Sequence, residues 1–394
     1  MSFLWSDMER HWANGLHFWD PSIISSGDAL MYQVFLYLVQ KLTQQNVIGI
    51  NFICGLLAVA TPYFFYRAMR ELKVSKNYAL VLFALVVWLP SLASVFHYFL
   101  TETLLLFLLG LGLWMMGRYL RKGDFVSFLT SVVVWTLACL TKSSVLLLAL
   151  VCVAYSLVHR PQSLKNIAAV CVLTIFLLLP SAVRSYRILG FSAPLGSVWI
   201  NKILFHSGKQ GVRVQFKHTG YGWIFGSPSS HIRPLEPLSQ WQMKRAGPVT
   251  WVVVEVDPTR GKLDWVEAHR ELHYSWGDWW QQQRENFVLL FFAPSWPESY
   301  SPYEVEGRIN YLQRWIWAPL IFYIFVGNVI LFCKRQFDFI PLIMTVFFFF
   351  LLFQNVTIME GRYRKPLEPL VLMNGVYLME RSERRNSRGL KKLA

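Results

Sequence analysis

Two carboxylates and a set of cations could do chemistry, because each lies where an apolar stretch of the chain meets a polar one. Asp28, in Ser25-Ser-Gly-Asp-Ala-Leu-Met-Tyr32, precedes the run Val34–Val39, which reads as a juxtamembrane amphipathic helix. A carboxylate there can accept a proton from an attacking hydroxyl. Ser, Gly and Asp also suit a helix N-cap, and the sequence leaves both roles open. Asp20, in Trp19-Asp-Pro21, is better suited to forming a turn. Glu102 opens an apolar run, where it either complements a helix N-terminus or serves as a second acid. Lys142 interrupts the apolar stretch 125–158, and either snorkels from a helical hairpin or faces a cavity. Arg184 and Arg187, three apart within Pro180–Gly190, share one helical face and can grip a phosphate or anchor at an interface. Finally, Glu360-Gly-Arg-Tyr-Arg-Lys365 pins Arg362, Arg364 and Lys365 between the apolar runs 339–353 and 367–378. Charges beside a bilayer core are costly, so such a cluster lies in water or holds an anion.

The elements that must position these residues are membrane helices. With 54% hydrophobic and 16% aromatic residues and several apolar stretches near bilayer length, the chain reads as an all-α polytopic membrane protein. Apolar runs fall at about 45–66, 78–96, 98–117, 125–141, 143–158, 167–187, 311–333, 338–354 and 366–380, which predicts about nine spans, the three short ones free to tilt or stop partway. Basic blocks follow the first, third, fifth, seventh and last runs, so every second connection is basic and is expected in the cytoplasm. The net charge of +15 is explained by those blocks, and nucleic acid is not an expected partner. The opposite connections are then extracytoplasmic: 97–101, the turn at 141–142, the segment 188–310 and the loop 355–365. The cluster at 360–365 is thus basic on the side where topology asks for no charge, which favours a functional role over a positive-inside signal.

This pattern divides the chain into an outer loop and juxtamembrane helix (1–44), a transmembrane module (45–189), a soluble insert (190–310), further transmembrane helices (311–380) and a basic cytoplasmic tail (381–394). The insert is expected to be mixed α/β, with alternation at Thr250–Val256 and a helix from about Leu263 to Leu290 carrying Trp265, Leu272, Trp276 and Trp280. That aromatic stripe reads as packing or interface anchoring more readily than as a sugar platform. His269 and His273 lie four apart on it, but no third ligand accompanies them. The five cysteines all lie in apolar stretches without ligand spacing, so neither a disulfide framework nor a thiolate metal site is indicated. No hydrophobic run precedes residues 1–44 to carry them outward; a preceding transmembrane helix outside this sequence is the expectation.

Several of these pieces, in this order, resemble the GT-C superfamily of integral-membrane glycosyltransferases, such as protein O-mannosyltransferases and the aminoarabinose transferase of lipid A. Gly27, Asp28 and Tyr32 are similar to the acidic motif of the family's first outer loop. His97–Glu102 resembles a motif ending in Ser/Thr-Glu, and Leu137–Ser143 the Leu-Thr-Lys/Arg turn. Pro180–Gly190 and Glu360–Pro369 resemble two later motifs, although Ser181 and Ser185 stand where Trp and Asn are usual. The resemblance covers most of 25–205 and 285–380. It implies an inverting glycosyltransferase fed by a polyprenyl-phosphate sugar, with the site at the outer face, in a bacterial inner membrane opening to the periplasm. Asp28 would be the catalytic base and Glu102 would assist it or orient the acceptor. Tyr32, Lys142, Arg184, Arg187, Glu360, Arg362 and Arg364 would bind substrate, the cations on the donor phosphate. The acceptor would be a hydroxyl of a glycan, lipid or protein. No cofactor is required, although the superfamily accommodates a divalent metal. The rival reading is a non-enzymatic transporter, flippase or assembly partner for lipid-linked sugars. Transporters tend to show internal repeats and broken helices at the midplane, whereas here no repeat is evident and the ionisable residues collect at one face.

Overall fold

The computed structural model describes residues 7–19, 29–89, 92, 94–97, 101–189, 192, 194–195, 212–218, 223–225, 232–234, 244–246, 249–256, 280, 287, 305–354 and 366–393. Eleven helices are assigned among them: α1 (Asp7–Leu16), α2 (Leu30–Thr43), α3 (Val47–Glu71), α4 (Lys76–Trp88), α5 (Thr101–Lys122), α6 (Phe125–Thr141), α7 (Leu146–His159), α8 (Leu164–Leu189), α9 (Val305–Cys333), α10 (Phe339–Gln354) and α11 (Glu368–Leu393). Each apolar run of the sequence contains one of α3–α11. Three of them (α3, α5 and α8) are both long and apolar enough to cross a membrane, and several of the others are shorter apolar helices. The protein is mostly helical.

Local chemistry sets the helix ends. Asn46 caps α3 by accepting from the Ile48 N–H at 2.9 Å, and Asp124 caps α6 by accepting from the Ser127 N–H at 2.8 Å. Each satisfies a backbone donor that a helix start leaves without an intrahelical acceptor. The second apolar run ends as a helix at Trp88, just ahead of Pro90, rather than continuing to 96. A short 3-10 turn, Ser94–His97, then leads towards α5.

The centre of the bundle is α5, packed on α3 along one flank and on α6 along the other. Glycines allow that approach. A Cβ at Gly110 would lie 3.2 Å from Phe64 and Phe65, one at Gly112 3.1 Å from Trp135, and one at Gly117 3.1 Å from Glu71. Small residues bring helix backbones close where lipid supplies no hydrophobic drive between helices. By contrast α8 is apolar but largely uncovered, with Val172, Ile175 and Phe176 exposed. That is the surface expected of a helix facing lipid.

Helix α1 was not anticipated. It packs on α2, where Gln40 Nε2 donates to the Trp12 carbonyl at 2.8 Å and His11 meets Tyr32 edge-on at 5.4 Å. Residues from 381 on, expected as a basic cytoplasmic tail, continue α11 as its second half. The reason is electrostatic: Arg381 pairs with Asp338, and Arg384 pairs with Glu380 one turn back. Asn374 and Asn328, both buried, hydrogen-bond at 3.0 Å and tie α11 to α9; Asn328 reaches on to Thr345 of α10 at 2.8 Å.

Between α8 and α9, five antiparallel strands are assigned: β1 (Val212–His218), β2 (Trp223–Phe225), β3 (Ile232–Pro234), β4 (Lys244–Ala246) and β5 (Val249–Val256). β5 lies along the whole of β1, and β2 and β3 share the opposite edge of β1. The alternating run at 250–256 lies in β5. The register pairs Val212, Val214 and Phe216 with Val256, Val254 and Val252, so apolar positions meet apolar ones. Of the helix expected over 263–290, Trp280 and Phe287 are helical; Trp265, His269, Leu272, His273 and Trp276 lie outside the described residues.

Candidate active site

Successive helices α5 to α8 alternate in direction, so the start of α5 and the ends of α6 and α8 lie at one end of the bundle. Glu102 stands in the first turn of α5, where its charge complements the exposed N–H groups of the helix start. Its neighbour Thr103 donates to the Val95 carbonyl at 2.9 Å, fastening the helix start to the preceding 3-10 turn. Thr101 Oγ1 donates to Glu102 Oε2 at 2.9 Å. Lys142 caps the end of α6 in an extended conformation, its N–H donating to the Ala138 carbonyl at 2.9 Å. From there its ammonium group reaches Glu102 Oε1 at 2.7 Å, with the two side chains 18% and 7% exposed. Forty residues apart in sequence, they form one sheltered ion pair. Lys142 thus faces a carboxylate at the bundle end.

Arg184 is buried near the end of α8. Its Nε donates to the Phe18 carbonyl at 2.7 Å and one Nη donates to Gln33 Oε1 at 2.6 Å. It therefore pins the segment after α1 and the start of α2 to the transmembrane bundle. Arg187, one turn on and exposed, lies over the Trp19 ring at 5.9 Å. Tyr32 is fully buried, stacked near Phe35 and edge-on to His11. It is placed to fix α2 on its surroundings.

The structure thus brings Glu102 and Lys142 together, and joins Arg184 to α2 within three residues of Tyr32. Asp28, Glu360, Arg362 and Arg364 lie outside the described residues. The N-cap of α2 is Ala29, which makes no side-chain capping bond, so the cap position weighed for Asp28 belongs to its neighbour. Gln33 escaped the sequence reading. The signal was available: Gln33 and Gln40 lie seven apart in a mostly apolar helix, hence on one face, and both are buried. Buried amides need partners, here Arg184 and the Trp12 carbonyl. Among the described residues no group of three or more His, Cys, Asp or Glu side chains comes together as a metal site.

Residues 28–186 match the family model of the dolichyl-phosphate-mannose-protein mannosyltransferases, a membrane glycosyltransferase domain of the GT-C superfamily. The match takes in Asp28, Tyr32, Glu102, Lys142 and Arg184, and stops one residue short of Arg187. Neither a curated protein nor a solved structure matches the chain. The apolar helices and this partial match together indicate a membrane protein that carries a segment similar to that family.

Proposed function

We propose that the protein is an inverting glycosyltransferase that moves a sugar from a polyprenyl-phosphate carrier to a hydroxyl acceptor at the outer face of the membrane, with about nine crossings and the 190–310 insert on that side. The observation that carries this reading is the sheltered Glu102–Lys142 pair, inside the segment that matches a glycosyltransferase family and at the bundle end shared with Arg184. In a bacterial inner membrane that end would face the periplasm.

The chemistry follows from the residue types. The acceptor oxygen forms a bond to the anomeric carbon as Asp28 takes its proton. The bond from that carbon to the phosphate oxygen breaks, and the electron pair leaves with the carrier phosphate. Cations already fixed in a low-dielectric site favour the charge developing on that phosphate without reorganising. In this reading Arg362 and Arg364 supply them together with Arg187, and Glu360 binds substrate beside them. Lys142 is held by Glu102, so its ammonium group is fixed in place. Arg184 and Tyr32 position the loop that carries Asp28. These charges serve where a metal would, and no cofactor is needed. The acceptor is a hydroxyl of a glycan, lipid or protein, selected by the insert.

The direct test is Asp28→Asn in the purified protein, assayed for transfer and for binding of a polyprenyl-phosphate sugar. Transfer should fall by at least about a hundredfold, with donor binding near that of the parent. Unchanged turnover would remove Asp28 from the mechanism.

A further inference from the structure

The end of the bundle remote from Glu102 holds a recess. Nineteen residues of α5 separate Glu102 from Arg121, about 28 Å at the rise of an α-helix. Arg121 meets Glu71 at the close of α3, and the following turn, Leu72-Lys73-Val74, forms one wall of a cavity of about 750 Å³ between that turn, α9 and α11. This size suits a small-molecule or headgroup site.

The rim of the cavity is cationic. Lys73, Lys334, Arg381, Arg384 and Arg385 line it, against the single lining carboxylate Glu380. Glu380 is already engaged, accepting from the Ser75 N–H at 2.9 Å and pairing with Arg384. Arg381 is held by Asp338 and by Gln336 Oε1 at 2.7 Å. Among the described residues no carboxylate pairs with Lys73, Lys334 or Arg385, and all three are exposed. The rim therefore carries a surplus of positive charge, partly held in fixed geometry.

One wall of the cavity is apolar. Tyr323, Gly327, Ile330 and Leu331 line it in steps of three and four, a single stripe of α9 that runs to Lys334. From Tyr323 to Lys334 is about 16 Å of helix. Leu378 closes the floor against Gly327, where a Cβ would come within 2.6 Å of it. Tyr323 and Ile330 remain 42% and 47% exposed. An apolar stripe as long as much of an acyl chain, beside a cationic rim, matches the polarity and charge of one class of molecule.

We propose that this recess is a binding site for an anionic phospholipid, its phosphate among Lys334, Arg385 and Lys73 and an acyl chain along the Tyr323–Leu331 stripe. The site is independent of the sugar-transfer chemistry at the other end. Positive charge at a membrane surface attracts anionic lipid generally. A built site differs in requiring both the rim and the groove.

The test is native mass spectrometry of the detergent-purified full chain, titrated with phosphatidylglycerol, with phosphatidylcholine of the same acyl chains, and with glycerol phosphate as the free headgroup. Phosphatidylglycerol should be retained over phosphatidylcholine, and Lys334→Gln with Arg385→Gln should weaken it roughly thirtyfold. Neither residue holds an ion pair among the described residues, so the melting temperature in zwitterionic detergent should stay at that of the parent. Ile330→Trp, which fills the groove and leaves every charge in place, should weaken phosphatidylglycerol alike. Equal retention of the two lipids would overturn the proposal, as would parent affinity in either variant. Glycerol phosphate binding as tightly as the lipid would show an anion site without a groove and overturn it too.

Discussion

At one end of α5 Glu102 meets Lys142 at 2.7 Å, and at the other Glu71 meets Arg121 at the same distance. The carboxylates are alike, 7% and 4% exposed, but Lys142 is 18% exposed and Arg121 46%. Arg121 sits among cations that flank apolar runs, half in water, with Arg67 also 3.8 Å from Glu71. Lys142 interrupts an apolar stretch and ends up withdrawn behind helix ends. The distance between charges does not distinguish the two pairs; desolvation of the cation does. A cation kept out of water exerts a stronger local field and cannot be replaced by solvent. The Glu102 end is therefore built for holding charge in place, and the Arg121 end for meeting a membrane surface.

The sharpest way to break this comparison is to remove each cation. Lys142→Met strands Glu102 in a sheltered site and should cost about 3–5 kcal/mol in a denaturant titration, with transfer lowered about a hundredfold or more. Arg121→Gln should cost about 1 kcal/mol or less and leave transfer unchanged, because its head is solvated and Arg67 remains. Similar losses from both variants would show the two ends to be energetically equivalent. The central helix offers the next largest effect. Gly110→Leu must displace Phe64 and Phe65 and should destabilise by about 1–3 kcal/mol, lowering activity only as far as folded protein is lost.

At the Glu102 end, Gln33→Leu removes an acceptor from buried Arg184 and should cost about 1–3 kcal/mol. It should slow turnover of bound donor more than it weakens donor binding, since Arg184 acts by positioning the segment that carries Asp28. A fall in donor binding alone would place Gln33 at the donor instead. The smallest effect belongs to the Arg121 end. Burial alone pushes the Asp124 carboxyl up, but the Ser127 N–H and hydroxyl and the charges of Arg118 and Lys122 outweigh it and hold the group below the usual aspartate range. Its contribution is then present above the ordinary aspartate value and is lost as pH falls through the lower folded one, below about pH 4. Asp124→Ala should cost about 1 kcal/mol at neutral pH and flatten that acid limb of a thermal melt.

Much of this architecture was legible in one dimension. Nine apolar runs with alternating basic flanks give helix positions and relative directions, because bilayer thickness and charge transfer act on composition alone. The β5 alternation was readable for the same reason: it depends on neighbours within a few residues. Helix α1 was missed because its polar, mixed sequence carries no span signal, and it is held by contacts to Gln40 and Tyr32. The end of α11 was missed because Arg381 and Arg384 resemble a solvated tail until Asp338 and Glu380 are placed beside them.

By itself the sequence determined that this is a membrane protein with helices in known order, and where its charges fall along them. Which charges face one another was decided by the tertiary structure. Lys142 finds Glu102 across forty residues, and Arg184 finds Gln33 and the Phe18 carbonyl across more than one hundred and fifty. Composition and period act locally, whereas the partner of a buried charge depends on which helix ends packing brings together.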